Sequence, residues 1–212
     1  MKPNLTVLFL LPEMDISLFY KKFNRLMKRL KLEESPGIFR VEFDNDRNVI
    51  DEDDEEPLYE VNDKILRGWQ GFSQEYNWND SLQYCISYHE PPYLFFYIDF
   101  NINSIAKLLK MSNIAEFYNM LLEIHTNFNA FSTIGDFNLP FSLKDHNTIV
   151  KNFIANPNNN NHPCLLGLFH KSVTANIEDQ LDINDWDKII FENQYCLYKN
   201  QEMFDFLELM AR

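Results

Sequence analysis

Glycine supplies only 5 of the 212 residues, against a usual ~7%, which leaves little material for phosphate-cradling loops. The sequence has no Walker loop, Gly-x-Ser-x-Gly elbow, His-Glu-x-x-His helix or Cys-x-x-Cys pair. The linear signatures of nucleotide hydrolysis, serine hydrolysis, zinc proteolysis and dithiol exchange are therefore missing. Gly68-Trp69-Gln70-Gly71 is too short for a dinucleotide fingerprint. Cysteine is also sparse: Cys85, Cys164 and Cys196 are odd in number, far apart and set in apolar or aromatic sequence, unlike the even, dense set of a secreted disulfide scaffold. No apolar run approaches the roughly 20 residues that span a bilayer. Pro12-Glu13-Met14-Asp15 stands where small residues would mark a signal-peptide cleavage site. We expect a soluble protein of the reducing cytoplasm that carries no cofactor and no metal.

Basic charge is the next shortage, with 19 Lys and Arg against 32 Asp and Glu, a net of −13. Phosphate contacts by Lys and Arg supply most unspecific affinity for nucleic acid, so a basic protein is the natural complement. The charge is segregated. Residues 1–32 carry seven basic and two acidic side chains, net +5, whereas residues 33–63 carry two basic and thirteen acidic, net −11. Such a distribution shapes the field that steers an encounter.

What is present is a core. Hydrophobic residues make up 45% of the chain and aromatics 15%, enough for one domain over 1–212, with a weak polar break near 156–163. Leu5 to Leu11 is continuously apolar, the pattern of a strand covered on both faces. Asp15 then caps a helix whose apolar residues Ile16, Phe19, Phe23, Leu26, Met27 and Leu30 recur at helical spacing. Ile38 to Phe43 alternates as a strand, and 44–56 is an exposed charged loop by composition. Leu58 to Trp69 reads as a strand leading into a short helix. Gln83 to Tyr88 and Tyr93 to Phe100 form a hairpin across His89-Glu90-Pro91-Pro92. Asn103 to Lys110 and Asn113 to Thr126 read as helices, the second capped by Asn113 with Glu116 at its third residue. Thr133 to Asn147 reads as loop, Leu165 to His170 and Ile189 to Tyr198 as strands, and Glu202 to Met210 as a terminal helix. The mixture lacks a βαβ beat and predicts an α+β fold, a mainly antiparallel sheet with helices packed on one face.

Three constellations invite chemistry. Ser104 to Asn113 has the small and apolar spacing of a helix-turn-helix, but Glu116 and Asn119 stand where its second helix should be apolar. His162, Cys164 and His170 are zinc-ligand types without the spacing of a closed site. His89 with Glu90, and Asp145 with His146, are adjacent residues, which on a strand point to opposite sides. A hydrolase with a dispersed Asp, Glu and His site remains the alternative, since triads assemble in space. A non-catalytic adaptor subunit is a third reading.

The run Asp51-Glu52-Asp53-Asp54-Glu55-Glu56 is the most unusual local feature. It reads either as a solvated loop or as a docking surface for a basic protein. With the acidic tail from Glu178 to Glu208 and the missing catalytic motifs, it gives a chain that resembles bacterial polymorphic-toxin immunity proteins. That resemblance is to a class and implies a cytoplasmic inhibitor paired with one toxin domain. The carboxylates 51–56 would then steer the encounter, and Trp69 or Trp78 would supply the aromatic anchor.

Overall fold

The computed structural model describes residues 4–34, 37–43, 49–50, 58–137, 165–174, 177 and 185–211. In chain order the elements are β1 (Asn4–Pro12), α1 (Ile16–Arg29), β2 (Glu33–Glu34), β3 (Phe39–Phe43), β4 (Val49–Ile50), α2 (Asp63–Leu66), β5 (Gly71–Trp78), β6 (Ser81–Glu90), β7 (Tyr93–Asn101), α3 (Ile102–Lys110), α4 (Ala115–Asn127), β8 (Ser132–Phe137), β9 (Leu166–His170), β10 (Trp186–Ile190), β11 (Tyr195–Asn200) and α5 (Gln201–Ala211). The strands form one sheet of order β10-β11-β9-β8-β1-β7-β6-β5-β3-β4, with β2 also on β5. The described pairings are antiparallel, and with the five α-helices among the described residues this is an α+β fold.

The apolar run of β1 lies mid-sheet, between β7 and β8. Its side chains divide by parity, because successive strand residues point to opposite faces. Leu5, Val7, Phe9 and Leu11 join the larger core cluster. Leu8 and Leu10 join a second cluster with Phe95, Tyr97, Ile134, Phe169 and Trp186 on the other face. Each of the helices α1 to α5 adds to the first cluster, through Phe19 and Phe23 of α1, Leu66 of α2, Ile105 of α3, Phe117 and Leu121 of α4, and Leu207 of α5. These five helices thus cover one face, as the sequence predicts, while the helical residue Ile177 joins the second cluster. Asp15 caps α1, its Oδ1 accepting from the N–H groups of Ser17 and Leu18 at 2.9 and 3.2 Å.

The expected hairpin is β6 and β7, longer than the apolar runs alone and closed by Pro91 and Pro92. Three segments differ from expectation. Of the expected loop Thr133 to Asn147, residues 133–137 are strand, because Ser132 to Phe137 can pair with β1 on one side and β9 on the other, and residues 138–147 lie outside the described residues. Gly135 permits the approach: a Cβ there would lie 3.3 Å from Val7 Cγ2 and 3.4 Å from Leu166 Cβ. Ile189 to Tyr198 is two strands, since the chain reverses at 191–194 with Gln194 at φ 68°. Asn113 does not cap α4. Its amide donates to Glu116 Oε2 at 2.8 Å, and Ile114 occupies the cap position without a side-chain bond.

Candidate functional site

The tryptophans of the sequence reading fall in different settings. Trp78 ends β5 with 5% of its surface exposed. Its ring meets Phe100 edge-on at 5.5 Å and Phe117 at 6.0 Å, so it is a core side chain with little to offer a partner. Trp69 is half-buried against the same core, and its backbone N–H donates to Leu66 O. Asp51, Glu52, Asp53, Asp54, Glu55 and Glu56 lie outside the described residues. Their flanks are fixed by β4 before them and by Leu58 after them, whose backbone exchanges two hydrogen bonds with Ile38. Tyr59, next in sequence, is 68% exposed.

His162, Cys164, Asp145 and His146 also lie outside the described residues. His170 ends β9 with its Nδ1 2.8 Å from Ser172 Oγ. Its ring meets Tyr195, which in turn meets His125. Among the described residues no three His, Cys, Asp or Glu side chains gather in a way that would hold a metal ion. In the helix-turn-helix comparison, Glu116 and Asn119 are exposed on α4.

One end of the sheet gathers residues the sequence kept apart. Pro12 stands opposite Tyr93 in the register of β1 and β7. On the other side of β1, the N–H of Phe131 donates to Leu10 O at 2.8 Å. That bond holds Phe131 at the sheet end with 56% of its surface exposed and its ring edge-on to Tyr93 at 6.0 Å. Glu13 follows Pro12, and its Oε1 lies 3.5 Å from His89 Nε2. The backbone N–H of His89 donates to Gln70 O at 2.7 Å, which brings the Trp69-Gln70 segment to the same end. Aromatic rings fixed before a partner arrives lose little conformational freedom on being covered, and such residues dominate binding energy. No periodic signal marks Phe131 or Glu13. Each is the single residue just beyond a strand end, and only strand pairing places them together.

A second group of polar residues crosses the other face. Thr6 of β1 stands opposite both Asp99 of β7 and Asp136 of β8, and its hydroxyl donates to Asp99 Oδ1 at 2.5 Å. Burial raises both carboxyls. Asp136 reaches about 7 despite a bond from the Phe137 N–H that favours the anion, while Asp99 is raised against the opposing pull of Thr6. A carboxyl poised near neutrality is the property of a general acid, so the hydrolase alternative would reside here. His125 shows the reverse. Burial, with a smaller contribution from His170, lowers it to about 4, and its Nδ1 lies 2.7 Å from Thr133 Oγ1.

The fold is that of an antiparallel sheet with helices on one face. No protein-family model matches the chain, and no curated protein sequence matches it. Among solved structures it is similar to Pseudomonas aeruginosa T6SS protein PA0821, with 11% identity and a TM-score of 0.42 over 93% of this chain. The match spans 65% of that protein's length. Among the described residues no helix is long and apolar enough to cross a membrane.

Proposed function

We propose that this chain is a cytoplasmic inhibitor of the immunity-protein kind, which binds and neutralises a cognate basic toxin domain. The observation that carries this reading is the exposed Phe131 ring, fixed against Tyr93 beside the half-exposed carboxylate of Glu13. The aromatic pair offers a rigid apolar anchor, and Glu13 offers charge to a basic partner. The net of −13 raises the rate of encounter with such a partner. In this proposal Trp69 and the run Asp51 to Glu56 also take part in recognition. Trp78 supports it from within the core.

The test is capture of the partner from the source cell, followed by its expression with and without this chain. A stoichiometric basic protein whose toxicity this chain relieves is the expected result. Phe131→Ala should then weaken binding by more than about 2 kcal/mol, roughly thirtyfold, with melting unchanged. Binding that is unaltered by Phe131→Ala and Glu13→Gln would remove this face from the interface, and unrelieved toxicity would end the inhibitor reading. The hydrolase alternative rests on Asp136 and would need turnover that Asp136→Asn abolishes.

A further inference from the structure

We propose that the groove between α1 and the end of α4 is a binding site for a small phosphate-bearing anion, a phosphate monoester or a diphosphate. The groove is a cavity of about 370 Å³ lined by Lys22, Arg25, Leu26, Arg29, Asn127 and Phe128, within the size range of small-ligand sites. Lys22, Arg25 and Arg29 are spaced three and four residues apart along α1, so they stand on one stripe of the helix. Arg29 is held by Glu123 at 2.5 Å. The side chains of Lys22 and Arg25 have no ion pair or hydrogen bond among the described residues. The chain is −13 overall, but α1 lies in its basic stretch of residues 1–32, and the groove gathers two unpaired cations beside a third in one concavity.

The ordinary explanation would be that these cations neutralise the carbonyl end of α4. That end is already satisfied. Thr126 Oγ1 donates to Leu122 O, Asn127 Nδ2 to Glu123 O, and the N–H groups of Phe128, Ala130 and Asn129 to the carbonyls of Ile124, His125 and Thr126. The donors of Lys22 and Arg25 therefore remain for a ligand. The planar fork of the Arg25 guanidinium with the ammonium of Lys22 suits the tetrahedral oxygens of a phosphate better than an isolated carboxylate, since the fork can take two of them and the ammonium a third. Leu26 and Phe128 give the floor an apolar wall. A long polyanion or an anionic membrane would meet the repulsion of the whole molecule as well as this groove, which favours a small, free ligand.

The test titrates the whole protein with inorganic pyrophosphate by calorimetry at constant ionic strength, with citrate as a polycarboxylate control. Saturable binding of one pyrophosphate per chain is expected, with citrate much weaker. Losing two charge-assisted contacts in Lys22→Gln/Arg25→Gln should weaken it about tenfold or more, with the fold unchanged by circular dichroism. A control pair, Lys64→Gln/Lys110→Gln, removes equal charge at exposed positions that do not line the groove and should leave binding intact. Absence of saturable binding, equal binding of citrate, or equal loss in the control pair would each overturn the proposal. Tighter binding of an oligonucleotide or of vesicles containing phosphatidic acid would overturn the choice of a small ligand.

Discussion

At the scale of single residues, burial has moved two groups in opposite directions, and the chain's response to pH follows from their signs. Asp136 is raised from 3.8 to about 7, so the folded state holds its proton more tightly than the unfolded chain does. That contribution is present in full below the unfolded value and is lost as pH rises through about 7. His125 is lowered from 6.5 to about 4. Its contribution is present above pH 6.5 and is lost as pH falls through about 4. Asp136→Asn should therefore flatten the decline in stability between pH 5 and pH 8, raising stability at the alkaline end. Urea unfolding at both pH values measures this, and an unchanged slope would refute the assignment to Asp136.

At the scale of elements, strand β5 shows how a weak sequence signal becomes a firm structural position. Gly71 opens the strand opposite Tyr88, and a Cβ on it would lie 1.9 Å from the backbone oxygen of Ser87. Neither strand can give way, because β6 is pinned on its other side by β7. Gly71→Ala should cost about 3 kcal/mol or more. Gly68 has φ +85° and open space around it, so Gly68→Ala meets only the backbone penalty of about 1–2 kcal/mol. Chemical denaturation of the two variants side by side gives the comparison, and equal losses would contradict the close approach at Gly71. The two glycines that suggested a fragment of a dinucleotide loop thus serve a turn and a strand contact.

At the scale of the whole molecule, charge and anchoring separate into rate and lifetime. In the inhibitor reading, replacing the six carboxylates Asp51 to Glu56 by Ser or Asn should slow association with the partner and flatten its salt dependence, with dissociation changing less. Melting should hold or rise, since exposed charges add little to stability and the net of −13 is self-repulsive. Stopped-flow association at low and high salt distinguishes the outcomes. A wild-type rate at low salt would remove the run from recognition.

Elements whose burial repeats with a local period are legible in the amino-acid order. The two-faced apolar strand β1, the capped helix α1, the β6–β7 hairpin and the α+β class are all of this kind, because side-chain periodicity and capping are local physics. Trp69 and Trp78 stood out equally in sequence, yet the core took Trp78 and left Trp69 half-covered. Residues 133–137 looked like loop because buried Thr133 and Gly135 and half-buried Asp136 break any apolar pattern, and their pairing comes from β1, more than a hundred residues away. Tertiary structure alone decided the candidate surface. Glu13, His89, Tyr93 and Phe131 meet because antiparallel pairing aligns the ends of distant strands, and no local spacing encodes that alignment.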